Sequence, residues 1–256
     1  LADTRFELAG NRVKFADPEI IQSDPKTLLQ LFQIADKSGV DVHPDALTEA
    51  TRNTKIINAE TRTDPEMVDV FLQILLDSEN LGLTLNRLNE ASVLGRVLPE
   101  FGGIVAQTQF NMYHHYTVDE HTIRAMEYIS NMDKGEDGFA LAKQLYGKIE
   151  NRRALYLAML LHDTGKGIGD QQIEGMKTAR RACRRLGLDK AETELVAWLV
   201  GNHLEMSETA QKRDIADPRT IVTFAEKVMD LEHLRLLYIL TVADIRAVGP
   251  NVWNTW

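Results

Sequence analysis

Five side chains able to bind a metal ion or move a proton recur in one kind of setting: His121, the doublet His162-Asp163, His203 and Asp244. The stretch "LYLAMLLHDTGKG" runs through Leu155, Leu157, Met159, Leu160 and Leu161 and then sets His162 beside Asp163. "ELVAWLVGNHLEMS" runs through Leu195, Val196, Trp198, Leu199 and Val200 before delivering Asn202 and His203. "LRLLYILTVADIRA" does the same through Leu236, Leu237, Ile239, Leu240 and Val242 before Asp244. In "YTVDEHTIRAMEYI", His121 falls about one turn into a helix whose apolar face includes Ile123, Met126 and Ile129. A polar group set against an apolar core is costly unless it has a partner. Four helices that each present such a group point to a shared one, a divalent metal ion. Histidine supplies a neutral nitrogen and aspartate a hard anionic oxygen, a mixed set that suits Mn, Fe, Zn or Mg. An ion so held polarises a phosphoryl oxygen or lowers the pKa of bound water, which is the machinery of phosphoester hydrolysis.

Ordinary hydrogen bonding is the competing account. A lone histidine at a helix end commonly satisfies a backbone carbonyl, and Asp244 could cap a neighbour or pair with Arg246. The number of such groups, and the His162-Asp163 doublet, bring the metal reading level with it. Geometry adds a condition. Neighbours on a helix diverge by about 100°, so His162 and Asp163 converge only where the helix frays, which Gly165 and Gly167 permit.

The elements that must position these groups read as helices. A small hairpin comes first, in "RFELAGNRVKF", where Phe6 and Leu8 answer Val13 and Phe15 across Gly10-Asn11. In "SDPKTLLQLFQIADKSG", Asp24 is the expected cap, Pro25 lies in the first turn, Leu28, Leu31, Phe32 and Ala35 share a face, and Gly39 closes the helix. Asp64-Pro65 and Asp217-Pro218 open helices by the same grammar, and Met67, Val70, Phe71, Ile74 and Leu75 form the stripe of the former. His43, before Pro44, reads as a loop residue. Periodicity breaks near "LPEFGGIVAQ", and six of the seven histidines lie beyond it, so any chemistry is expected in the second half. The boundary is placed between residues 105 and 106. The fold class that follows is all-α: a helical bundle over 106–256, a helical leading segment over 1–105, and the small hairpin.

Bulk properties narrow the partners. The chain has 256 residues and a formal net charge of −9, which argues against nucleic acid as the main partner, although "ARRACRR" at 179–185 could form a local basic patch. With Cys183 as the single cysteine no intramolecular disulfide can form, and a reducing cytoplasm is the simplest setting. No apolar run approaches a membrane span. The start, "LADTRFEL", and the end, "NVWNTW", read as those of a piece of a longer protein.

In order along the chain, His121, His162-Asp163 and Asp244 resemble the pattern of the HD superfamily of metal-dependent phosphohydrolases. The surrounding words are more specific. "LGRVLPEFG", "MYHHYTVDEHT", "LLHDTGKG", "ELVAWLVGNHLEMS", "AQKRDIADP" and "LLYILTVADIRAVGPNVWNTW" resemble the bifunctional protein-PII uridylyltransferase/uridylyl-removing family of bacterial nitrogen signalling, over essentially the whole chain. The resemblance implies an HD helical bundle that hydrolyses the uridylyl-tyrosine phosphodiester of the regulator PII. UMP would be the product, glutamine the effector of the full-length protein, and Mn or Mg the metal. Carried over by motif, His121, His162, Asp163 and Asp244 would hold the ion, and His203 would match a further ligand used where two ions bind. Catalysis would rest on His162, Asp163 and Lys166; Lys166 would meet a phosphate as a point charge or be solvated. Arg246 could face a phosphate or pair with Asp244, the ion pair being the favoured of the two.

Two departures qualify this. After "HDTGKG" the family usually shows Gly-Asp-His-Ser, whose histidine serves the second metal; here "GIGDQQIEG" has Gln171 at that point, with Glu174 as a nearby substitute or a solvated residue. One ion, or a second held weakly, is expected. No Gly-Ser dipeptide occurs, so the nucleotidyltransferase motif is absent and uridylyl transfer is not expected of this chain. An HD hydrolase of free nucleotides and a non-catalytic regulatory HD module are the rival readings. His114-His115 are read as packing beside the site, Trp198 as core, and Cys183 as no nucleophile.

Overall fold

The computed structural model describes residues 3–108, 116–136, 139–249 and 252–253. The chain forms two compact units, Leu1–Gly103 with Arg185–Gly187, and Ile104–Arg184 with Leu188–Trp256.

The first unit begins with the expected hairpin. Strands β1 (Phe6–Leu8) and β2 (Arg12–Phe15) pair antiparallel, with Phe6 opposite Phe15 and Leu8 opposite Val13. Gly10 takes φ +62° in the turn, a left-handed value that glycine adopts at little cost. Phe6, Val13 and Phe15 are buried, the pleat sending them to one face. A third strand, β3 (Asp41–Val42), joins β2 in parallel. Two residues are too short to leave a periodic signal, and the sequence reading omits this strand.

Helices α1 (Ile20–Ser23), α2 (Thr27–Ser38), α3 (Pro44–Asn53), α4 (Pro65–Asp77), α5 (Leu81–Glu90), α6 (Leu94–Val97) and α7 (Pro99–Gly102) follow. The expected stripes of α2 and α4 are their buried faces, and each large apolar side chain so buried contributes about 1.5–3 kcal/mol. Gly39 closes α2 at φ +61°, and the Asp64 carboxylate accepts from the N–H groups of Glu66 and Met67 to cap α4. Asp24 does not cap α2, whose first helical residue is Thr27 and whose cap position is Lys26. The short α1 ends at Asp24, and its carboxylate goes to Arg5 at 2.7 Å and Lys26 at 3.1 Å. His43 is more than a loop residue: its Nδ1 accepts from the Asp45 N–H and caps α3 ahead of Pro44.

The second unit contains α8 (Val118–Lys134), α9 (Ala140–Tyr146), α10 (Arg152–Leu161), α11 (Gln171–Arg185), α12 (Lys190–Asn202), α13 (Glu205–Lys212), α14 (Pro218–Val228) and α15 (Leu231–Ala247). Every residue of α10 from Ala154 to Leu161 is buried. A helix apolar all round belongs at the centre of its unit, and α10 packs on α8, α12 and α15 while α8 packs on α15. Asp189, Asp217 and Asp230 cap α12, α14 and α15 through their side chains. The fold is thus all-α with one small sheet. Among the described residues no helix is long and apolar enough to cross a membrane.

Candidate metal centre

Helix α10 stops at Leu161, and His162 and Asp163 fall in the turn after it. The condition set by helical geometry is met by termination, and the two side chains converge, with His162 Nε2 3.3 Å from Asp163 Oδ2. Gly167 supplies a left-handed residue there, at φ +78°. Gly165 serves a different purpose from the expected fraying: a Cβ on it would lie 2.2 Å from the Gln171 carbonyl oxygen and 2.6 Å from the Gly175 nitrogen, so its absence lets α11 seat against the turn.

The two stretches that end in histidine adopt the same local device. His162 Nδ1–H donates to the Met159 carbonyl and His203 Nδ1–H to the Val200 carbonyl, both at 2.7 Å. Each imidazole therefore satisfies the backbone with one nitrogen and aims Nε2 inward, which fixes ring orientation as metal-ligating histidines require. Across the unit, His121 Nε2 lies 2.9 Å from Asp244 Oδ1, joining α8 to α15. Ligand atoms of His121, His162 and Asp244 all lie within 4.8 Å of one another. Asp163 completes the group: Oδ2 is 3.9 Å from His121 Nε2, and Oδ1 is 3.8 Å from His203 Nε2. All are buried except Asp244, whose side chain is 15% exposed.

The charges are strongly coupled. Burial pushes the His162 imidazolium down, but Asp163 and Asp244 outweigh it and raise its pKa to about 10. Burial likewise opposes ionisation of Asp163 and Asp244, yet the surrounding imidazoles, and Lys166 for Asp163, hold both carboxyls below the usual range. His203 is pushed down by burial and by neighbouring His162. Such a site calls for positive charge at its centre, and among the described residues the buried His162 Nε2 has no hydrogen-bond partner, only the nearby carboxylates of Asp163 and Asp244. The imidazoles of His121 and His162 with the carboxylates of Asp163 and Asp244, and the His203 imidazole beside them, fit a divalent metal ion.

The remaining candidates divide. The Lys166 ammonium pairs with Asp163 Oδ2 while 18% of its side chain stays exposed. Gln171, read from sequence as a weak oxygen donor, instead donates its amide N–H to Asp163 Oδ1 at 3.1 Å. Sequence reasoning missed that contact; the sole signal was the glycine-rich spacing that brings α11 onto the turn. Glu174 turns to Lys177 at 2.7 Å. The Arg246 guanidinium lies over the Tyr128 ring, 4.4 Å from its centroid. Trp198 is half-buried, edge-on to His233 at 4.7 Å, and lines a pocket of about 600 Å³ that includes none of the five clustered residues. In the basic stretch, Arg180 pairs with Glu194 at 2.7 Å and Cys183 is buried. His114 and His115 lie outside the described residues.

The HD domain family matches residues 118–245, and the uridylyltransferase GlnD third domain matches residues 6–97. The bifunctional uridylyltransferase/uridylyl-removing enzyme of Phenylobacterium zucineum (strain HLK1) is 54% identical over 259 residues, covering 100% of this chain and 28% of that protein. The protein of the same name from Caulobacter vibrioides (strain NA1000 / CB15N) is 52% identical over 250 residues, covering 96% and 27%. The chain therefore spans a little over a quarter of the length of these relatives. The chain belongs to the HD domain family and, matched from end to end, is similar to one stretch of the bifunctional uridylyltransferase/uridylyl-removing enzymes.

Proposed function

We propose that this chain is the uridylyl-removing part of such an enzyme, hydrolysing the UMP–tyrosine phosphodiester of uridylylated PII in the cytoplasm. Residues 106–256 form the hydrolase in this reading and residues 1–105 its leading segment. The observation that carries it is the convergence of His121, His162 and Asp244, with His162 Nε2 buried and, among the described residues, without a hydrogen bond. His121, His162, Asp163 and Asp244 would hold the metal, Mn or Mg first, and His203 is the donor that would serve a second ion. A divalent ion bound there would withdraw charge from the phosphoryl oxygens and supply a nucleophilic water near neutral pH.

The chain's own groups support the reaction in distinct ways. The Met159 carbonyl holds the His162 ring in the orientation that keeps Nε2 inward. Asp163, deprotonated and flanked by imidazoles, is suited to hold the ion and to orient water. Lys166, leaning on Asp163 from the partly exposed side, can turn to a phosphoryl oxygen as a point charge. Arg246, on α15 with Asp244, is assigned to the substrate phosphate in exchange for its place over Tyr128. The leaving tyrosinate needs no strong acid, because its ordinary pKa is about 10.

The test is to mix the chain with uridylylated PII and Mn and follow the mass of PII. Loss of UMP is expected. His162→Ala should slow it by more than the about 10–100-fold that loss of an outer-shell metal partner costs. Unchanged turnover in that variant would sink the assignment. Hydrolysis of small phosphodiesters with PII untouched would support a free-nucleotide hydrolase, and turnover of neither a regulatory module. Glutamine control would belong to the full-length protein.

A further inference from the structure

We infer that Gln171 keeps this centre mononuclear, an inference that rests on the metal reading above. Asp163 stands between two groups of imidazoles. Oδ2 faces His162 and His121, at 3.3 and 3.9 Å, while Oδ1 faces His203, at 3.8 Å. A carboxylate flanked in this way could bridge two cations, one to each oxygen. The two sides are not equally furnished. On the first, His121, His162 and Asp244 already bring three ligand atoms within 4.8 Å of one another. On the second, His203 lies 3.8 Å from Asp163 Oδ1, and the Gln171 amide donates to that same oxygen.

That amide presents an N–H, not an oxygen. At 3.1 Å it donates to Asp163 Oδ1, so a partial positive charge stands on the oxygen that a second cation would need. Gln171 has little freedom to withdraw. It is the first residue of α11, and its backbone oxygen is so close to Gly165 that a single added carbon would lie 2.2 Å from it. The next carboxylate along the helix, Glu174, is engaged by Lys177 at 2.7 Å. Turning the Gln171 amide over would offer a neutral oxygen and cost Asp163 Oδ1 the N–H that Gln171 gives it. One imidazole, one carboxylate oxygen and one amide oxygen are a poor set for a transition ion. The side chain at position 171 thus sets the number of ions, and with it whether His203 coordinates.

The experiment counts metal. The chain is stripped with a chelator, loaded with Mn, and measured by native mass spectrometry and by electron paramagnetic resonance. One ion per chain is expected, with the spectrum of an isolated Mn and not of an exchange-coupled pair. His203→Ala should also bind one ion, its affinity reduced less than about tenfold, the least expected when a metal's supporting group is lost. Gln171→His should bind two, and adding His203→Ala to it should return the count to one. Two tight ions in the unaltered chain, a greater loss of affinity in His203→Ala, or a single ion in a folded Gln171→His variant would each overturn the inference. If the unaltered chain binds no ion, the metal reading fails and takes the inference with it.

Discussion

His162 has one nitrogen tied to the Met159 carbonyl and the other turned toward the carboxylates of Asp163 and Asp244. In the metal-free protein a proton on this ring supplies the positive charge that the carboxylates require. Its folded pKa, about 10, lies above the ordinary 6.5. The stabilisation it contributes is therefore fully present below pH 6.5 and lost as pH rises from there through about 10. The lowered carboxyls of Asp163 and Asp244 act in the opposite sense, contributing above the usual carboxylate range and losing that contribution as pH falls. In chelator, the melting temperature should decline on the alkaline side, and His162→Gln should flatten that limb. An alkaline limb unchanged by the substitution would show that His162 does not carry the charge.

At the scale of elements, the turn from His162 to Gly167 is held by the start of α11. Gly165→Ala would drive a methyl group into the Gln171 carbonyl, 2.2 Å away, with no flexible side chain to give way. Backbone must shift, at a cost of about 1–3 kcal/mol, as for other overpacked sites, and Asp163 shifts with it. Thermal melts and Mn titration of this variant should reveal lost stability together with weaker metal binding; normal metal binding would mean that the turn does not depend on α11. Much of this element structure was legible beforehand. The periods of α2 and α4, the Asp-Pro starts of α4 and α14, and the hairpin register are local patterns of polarity and capping. The expected Asp24 cap was not legible, because α1 ends there and Arg5, 19 residues away, engages the carboxylate.

At the scale of the whole molecule, the chain divides its work between two units, each with its own buried apolar side chains. All five clustered residues belong to the second. A ligand that binds only the folded state stabilises it by mass action, about 2.7 kcal/mol at a hundredfold excess over Kd. Chelation should therefore reduce hydrogen-exchange protection in α8, α10, α12 and α15, and leave α2 and α4 as they were. Equal loss in both units would mean that the ion's effect is not confined to the unit that holds its ligands.

What the amino-acid sequence determined by itself was the local part: the helical class, the capping words, the apolar runs that end in His162, His203 and Asp244, and the word-level likeness that marks the family. Period, capping and turn chemistry act over a few residues and can be read along the chain. Only the tertiary structure decided that His121 meets Asp244 across 123 positions and that Asp163 stands between two groups of imidazoles. It also decided that Gln171 offers its N–H and not its oxygen. Those outcomes depend on how α8, α10, α11, α12 and α15 pack, and no spacing within one segment encodes them.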